Sequence, residues 1–162
     1  MNYENYTIAQ AKYVLKNKLR EGFTCPCCDQ FAKMYSRPIS SSMAAGLCII
    51  YNESKDEYIH IETLFKGKDV PSSLRGDIPK LRFWNLIMPK EGATEDGNPN
   101  SGYYKITLLG QHFVENRIKV PSHVDIYNNT FYGYSPKAKD IGIVEALKEK
   151  FNYNEIVHEK VV

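Results

Sequence analysis

Apolar residues recur at helical spacing near the start of the chain, at Ile8, Ala11, Leu15 and Leu19, and predict one buried helix face. Thr7-Ile8-Ala9-Gln10 fits a capping box, in which the Thr hydroxyl and the Gln side chain satisfy early backbone donors. Lys16, Lys18 and Arg20 sit near the carboxyl end, where the helix dipole favours cations, and Gly22 ends the element. Phe23 to Asp29 is a tight turn. After Arg37-Pro38 the pattern predicts a second helix capped by Ser40 or Ser41, with Met43, Leu47, Ile50 and Tyr51 as its buried stripe. The polar run Asn52 to Asp56 closes it.

Tyr58 to Ile61 reads as a short strand. Pro71 to Arg75 makes one helical turn stopped by Gly76, and Asp77 then caps a new helix with Pro79 in its first turn. Ile78, Leu81 and Trp84 face inward from that helix, and Leu86 to Met88 continues as a strand. Lys90 to Gly102 holds three Gly, one Pro, two Asn and three acidic residues, the composition of a hairpin tip. Tyr103 to Leu108 alternates and returns as a strand, and Leu109 to Arg117 reads as a short helix. Val124 to Tyr127 and Thr130 to Tyr132 flank Asn128-Asn129, a hairpin turn favoured by the tolerance of Asn for positive φ. Asp140 caps a last helix with Val144, Leu147 and Phe151 on one face, and the acidic tail from Asn152 onward is expected to fray.

With 162 residues, 43% of them hydrophobic and 25% charged, the chain has the composition of one ordinary globular domain with small additions. That excludes a wholly disordered chain, a collagen-like chain and a coiled-coil rod. A formal charge of +2 excludes a globally polybasic protein. The longest nearly apolar run, Met43 to Tyr51, is too short for a membrane span, and the polar start does not read as a secretory signal. Cysteines 25, 27, 28 and 48 make a poor disulfide framework, so a cytosolic protein with thiols or metal-bound cysteines is expected.

The middle of the chain thus reads helix, strand, helix, turn, helix, strand, long tip, strand, and resembles a winged helix-turn-helix domain. Lys80-Leu81-Arg82-Phe83-Trp84-Asn85-Leu86-Ile87 resembles a recognition helix running into the first wing strand. Gly102 to Phe113, with Thr107-x-x-Gly110, resembles the second wing strand and the turn into the next helix. The resemblance covers about half the chain and implies an α+β fold in three parts. These are an N-terminal helix and Cys-rich turn over 1–37, a winged-helix core over 38–118, and a β-hairpin with a C-terminal helix over 119–162, together one compact unit. The whole chain is also similar to small uncharacterised tailed-bacteriophage proteins. The shared pieces are Cys25-Pro26-Cys27-Cys28, Arg37 before a helix, Leu81 to Trp84, and Phe151-Asn152-Tyr153-Asn154-Glu155. This similarity implies a phage or prophage origin, hence the cytoplasm of a bacterial host, and no particular activity.

Four functions compete. For double-stranded DNA, Lys66 to Lys90 holds six basic and two acidic residues, a local excess of four in a nearly neutral chain. Lys66, Lys68, Arg75, Lys80 and Arg82 are the expected contacts, with Ser72 and Ser73 as phosphate hydrogen-bonders. Glu91, Glu95 and Asp96 at the tip oppose this, since they repel a phosphate backbone. For structural zinc, Cys25-x-x-Cys28 has knuckle spacing, but zinc takes four ligands and no second pair follows. Cys27, Cys48, His60, His112, His123 and His158 are the other soft ligands; Cys48 reads as core filler in an apolar helix. Two chains can share one ion, each giving Cys25 and Cys28; the alternative is a turn of reduced thiols beneath the first helix. Catalysis is not expected, because no metalloprotease, nucleophile-elbow, phosphate-loop or dinucleotide motif is present. The alternative to DNA is a protein-interaction module that inhibits or redirects a host protein, in host takeover or anti-defence. The acidic tip, the acidic C-terminal residues and the Tyr-rich stretch Tyr127 to Tyr134 fit that reading. Residues 7–21 and 140–151 offer helices for a homodimer.

Overall fold

The computed structural model describes residues 4–54, 56–68, 72–90 and 102–158. In chain order they form α1 (Ile8–Lys18), β1 (Phe23–Thr24), β2 (Phe31–Ala32), β3 (Tyr35–Pro38), α2 (Ser41–Ser54), β4 (Ile59–His60) and α3 (Ile61–Phe65). Then come α4 (Ser72–Asp77), a 3₁₀ helix Ile78–Trp84, β5 (Ile87–Pro89), β6 (Tyr103–Ile106) and α5 (Leu108–Val114). The remainder holds β7 (Val120–Pro121), β8 (His123–Tyr127), β9 (Thr130–Tyr134), β10 (Asp140–Ile141), α6 (Ile143–Leu147), a single 3₁₀ turn Lys148–Lys150 and α7 (Tyr153–His158). The fold is α+β, with helices alongside small sheets. The chain divides into two compact units, Met1–Arg37 with His123–Lys137, and Pro38–Ser122 with Ala138–Val162.

In the first unit the capping box of α1 is present: Thr7 Oγ1 accepts the Gln10 N–H at 3.2 Å, and Gln10 Oε1 accepts the Thr7 N–H at 2.9 Å. Ala11 and Leu19 are buried, but Ile8 is 68% exposed, so the apolar stripe is covered only beyond the first turn. Gly22 stops the helix at φ 91°, its N–H on the Lys18 carbonyl at 3.0 Å. β1 and β2 form a small antiparallel hairpin around the cysteine turn. β8 and β9 form the expected Asn-Asn hairpin, with Asn128 at φ 48° and Asn129 at φ 59°, and β3 lies on the other side of β8. Asp125, 3% exposed, receives Arg20 Nη1 at 2.7 Å, which ties the end of α1 to β8.

The second unit is built on α2. Ser40 Oγ accepts the Met43 N–H at 3.1 Å, as a cap should. Burial extends well beyond the expected stripe, to Ala44, Ala45, Gly46 and Cys48 as well as Met43, Leu47 and Ile50. Full burial of a side chain such as Leu47 stabilises by about 1.5–3 kcal/mol. Tyr51 is only half-buried and donates its hydroxyl to Glu115 Oε2 at 3.1 Å. The helix continues past Asn52 to Ser54, whose hydroxyl returns to the Ile50 carbonyl at 2.7 Å.

β4, β6 and β5 form an antiparallel sheet in that order, with Ile59 opposite Tyr104 and Ile87 opposite Ile106. Tyr104, Ile106 and Ile87 turn into the core, while Tyr103 and Met88 face out. The expected pairing of the 86–88 and 103–108 segments is therefore present, with the first strand shifted by one residue to Ile87–Pro89 and the second ending at Ile106. Thr107 leaves the sheet to cap α5: its Oγ1 accepts the Gly110 N–H at 2.9 Å and donates to the Asn85 carbonyl at 2.6 Å. Gly110 is required here, because a Cβ would strike the Leu86 carbonyl oxygen.

Several local expectations change. Ile61 opens α3 instead of ending a strand, since His60 Nδ1 accepts the Thr63 N–H at 3.4 Å as an N-cap. Gly76 does not stop a helix: its φ is not positive, α4 runs through it, and the chain passes directly into the 3₁₀ helix. Asp77 makes no capping bond; the absent N–H of Pro79 favours tightening to 3₁₀ geometry over a fresh α-helical start. At the C-terminal end Asp140 pairs with Pro121 in a strand, and α6 starts from Gly142 with Ile143, Ala146 and Leu147 buried and Val144 49% exposed. The segment from Asn152 does not fray over its described part. Asn52 Nδ2 donates to the Ile156 carbonyl at 2.6 Å, and the Tyr153 hydroxyl donates to the Val114 carbonyl at 2.8 Å.

Gly110→Ala should lower stability by about 2–3 kcal/mol, because backbone has to move to admit one methyl group; a denaturant midpoint shift at unchanged slope checks it. Arg20→Ala leaves the buried Asp125 carboxylate without its cation and should cost about 1–3 kcal/mol in the same assay.

Candidate nucleic-acid interface

The basic residues expected to meet DNA lie on the turn after α3 and on α4 with its 3₁₀ extension. Lys66 follows α3 and is exposed. Lys68 Nζ stands 3.2 Å from Glu53 Oε1, and Lys80 Nζ stands 2.8 Å from Asp77 Oδ1. Arg75 turns back onto α3, with Nη1 3.1 Å from Glu62 Oε2 and Nη2 donating to the Phe65 carbonyl at 3.4 Å. Its buried Nε finds no acceptor among the described residues. Arg82 donates to the Pro79 carbonyl at 3.2 Å, lies 4.5 Å above the Phe83 ring, and bonds the Tyr104 hydroxyl. Burial raises the pKa of that hydroxyl, and the Arg82 charge partly opposes the rise. The side chains of Ser72 and Ser73, and the acidic tip residues Glu91, Glu95 and Asp96, lie outside the described residues.

Much of this positive charge is thus answered inside the fold. Lys68, Arg75 and Lys80 each pair with a carboxylate, with about a third of each cationic side chain still exposed. Ion pairs this exposed are worth about 0–1 kcal/mol. Lys68 and Lys80 can therefore exchange their carboxylates for phosphates at little cost. Arg75 is different, because it also bonds backbone and holds α3 against α4.

A second group escaped the sequence reading. On the outward side of the β4–β6–β5 sheet, the His60 and Tyr103 rings meet edge to face at 4.9 Å. Lys90 lies 5.5 Å over Tyr103, and Lys105 lies 5.2 Å over Tyr58. The alternation Tyr103-Tyr104-Lys105-Ile106 carries the signal, since it puts an aromatic and a cation on the same side.

The cysteine turn stands at the surface of the first unit, with Cys27 and Cys28 exposed and Cys25 half-buried, not packed beneath α1. Cys48 is buried in α2, and desolvation pushes its thiol up to about 12. Among the described residues no three His, Cys, Asp or Glu side chains are grouped to hold a metal. No helix among them is long and apolar enough to cross a membrane. No protein-family model, curated protein or solved structure matches the chain.

Arg75→Ala should lower stability by about 1 kcal/mol, while Lys66→Ala leaves the thermal midpoint unchanged. Alkylation under native, reducing conditions should modify Cys25, Cys27 and Cys28 and spare Cys48 until the chain unfolds, as read by intact mass.

Proposed function

We propose that residues 38–118 act as a winged helix-turn-helix that binds double-stranded DNA in the cytoplasm of a bacterial host. The observation that carries this reading is the order helix α2, strand β4, helix α3, helix α4, strand β5, strand β6 with the sheet order β4-β6-β5. In such an arrangement α4 and its 3₁₀ extension enter the major groove and α3 lies across the backbone. Lys66, Lys68 and Lys80 supply phosphate contacts, together with Ser72 and Ser73 at the start of α4. Arg82 lies at the far end of the same element, beside the wing strands. Arg75 positions α3 against α4 and contributes through the fold. The modest net charge and the acidic tip make non-specific affinity modest.

A second reading has its own support. The first unit exposes Tyr13, Phe31, Tyr35, Phe131 and Tyr134, each more than 40% accessible, and aromatic side chains concentrate at interface cores. On this reading the protein binds a host protein and inhibits or redirects it.

Titration of labelled duplex at two salt concentrations separates the two. Wild type should bind at low salt, and Lys66→Ala/Lys80→Ala should shallow the log–log salt dependence by about 1.8, or about 0.9 for each lost phosphate contact. Absence of binding by wild type at low salt refutes the DNA reading and leaves the protein partner.

A further inference from the structure

Cys25 is more than one of three neighbouring thiols. Its N–H donates to the Gln30 carbonyl at 2.8 Å, and its carbonyl accepts the Asp29 N–H at 2.9 Å, so both ends of the turn are pinned. Asp29 takes φ 61°, which reverses the chain into β2. Within this turn Cys27 and Cys28 are exposed and Cys25 is half-buried. A cysteine ligates metal through its thiolate. Cys25 also opens onto a surface groove of about 480 Å³, whose walls include Gly22, Thr24, Pro26 and Phe31.

This turn presents two cysteines in Cys-x-x-Cys spacing, yet no further ligand of its own chain completes the set among the described residues. A tetrahedral thiolate site needs four. We propose that Cys25 and Cys28 form half of a tetrathiolate zinc site, completed by the same two residues of a second copy of this chain across a twofold axis. Self-complementary contact about such an axis is the commonest way for identical chains to pair, and it brings equivalent turns face to face. The exposure of the turn leaves it accessible, and Phe31, 64% exposed beside the groove, supplies apolar surface at the contact. On binding, each thiol that remains protonated gives its proton to solvent as its sulfur–zinc bond forms, leaving a centre of charge −2 for four thiolates around one Zn²⁺.

The test uses the full-length reduced protein, stripped of metal and titrated with Co²⁺, followed by Zn²⁺ displacement. Intense sulfur-to-cobalt charge-transfer bands should saturate at one ion per two chains, and sedimentation should show the mass doubling with metal and halving with chelator. Cys25→Ser/Cys28→Ser should lose both responses with an unchanged circular dichroism spectrum, while Cys27→Ser keeps both. Saturation at one ion per chain without a change in mass would overturn the shared site. So would the absence of sulfur-to-cobalt bands, or binding that survives in the Cys25→Ser/Cys28→Ser variant.

Discussion

A helix that is apolar on nearly every side has to be enclosed, and the larger unit is organised by that demand of α2. From Met43 to Ile50 it presents almost no polar side chain, so water has to be kept from it all round. α4, the 3₁₀ helix, α5, α6, α7 and β6 each pack against it. Enclosure then fixes the neighbours. Trp84, 1% exposed at the end of the 3₁₀ helix, donates its indole N–H to the Pro121 carbonyl at 2.7 Å. Thr107 joins the end of β6 to Asn85 through one hydroxyl. Of the face that we propose meets DNA, α4 and the 3₁₀ helix pack on α2, and α3 packs on α4.

Features governed by short-range chemistry were legible in the sequence. The Thr7 capping box, the Gly22 stop, the Asn128-Asn129 turn and the Thr107-x-x-Gly110 junction each need residues only a few positions apart. The paired strands β5 and β6 were legible from their apolar runs, as were the burial of Cys48 and the outward place of Lys66. What could not be read depended on distant partners. Gly76 is as compatible with a helix as with a stop, and packing of α4 on α2 decides. Asp140 is a good cap in isolation, but Val120–Pro121 recruits it into a strand. The polar helix α7 has little propensity to exist alone and is held by Asn52 and Val114, far away in the chain. The same holds for charge: Glu53 and Glu62 lie 15 and 13 residues from the cations they answer, so a count of Lys and Arg overstates the free positive surface.

That correction changes the kind of binding to expect. A face whose lysines already have weak local partners exchanges one acceptor for another and gains little from non-specific contact. On the DNA reading that we propose, selectivity falls to shape and to side chains that reach base edges. The exposed aromatic side chains of the smaller unit lie on α1, β2, β3 and β9.

Backbone amide shifts in an isotope-labelled sample, followed as an unlabelled duplex is added at low salt, test the placement of the DNA-binding face most directly. Changes concentrated in Ile61–Phe65 and Ser72–Trp84, with His123–Lys137 unperturbed, are the predicted result. Changes confined to His123–Lys137, or none at all at saturating duplex, would contradict it.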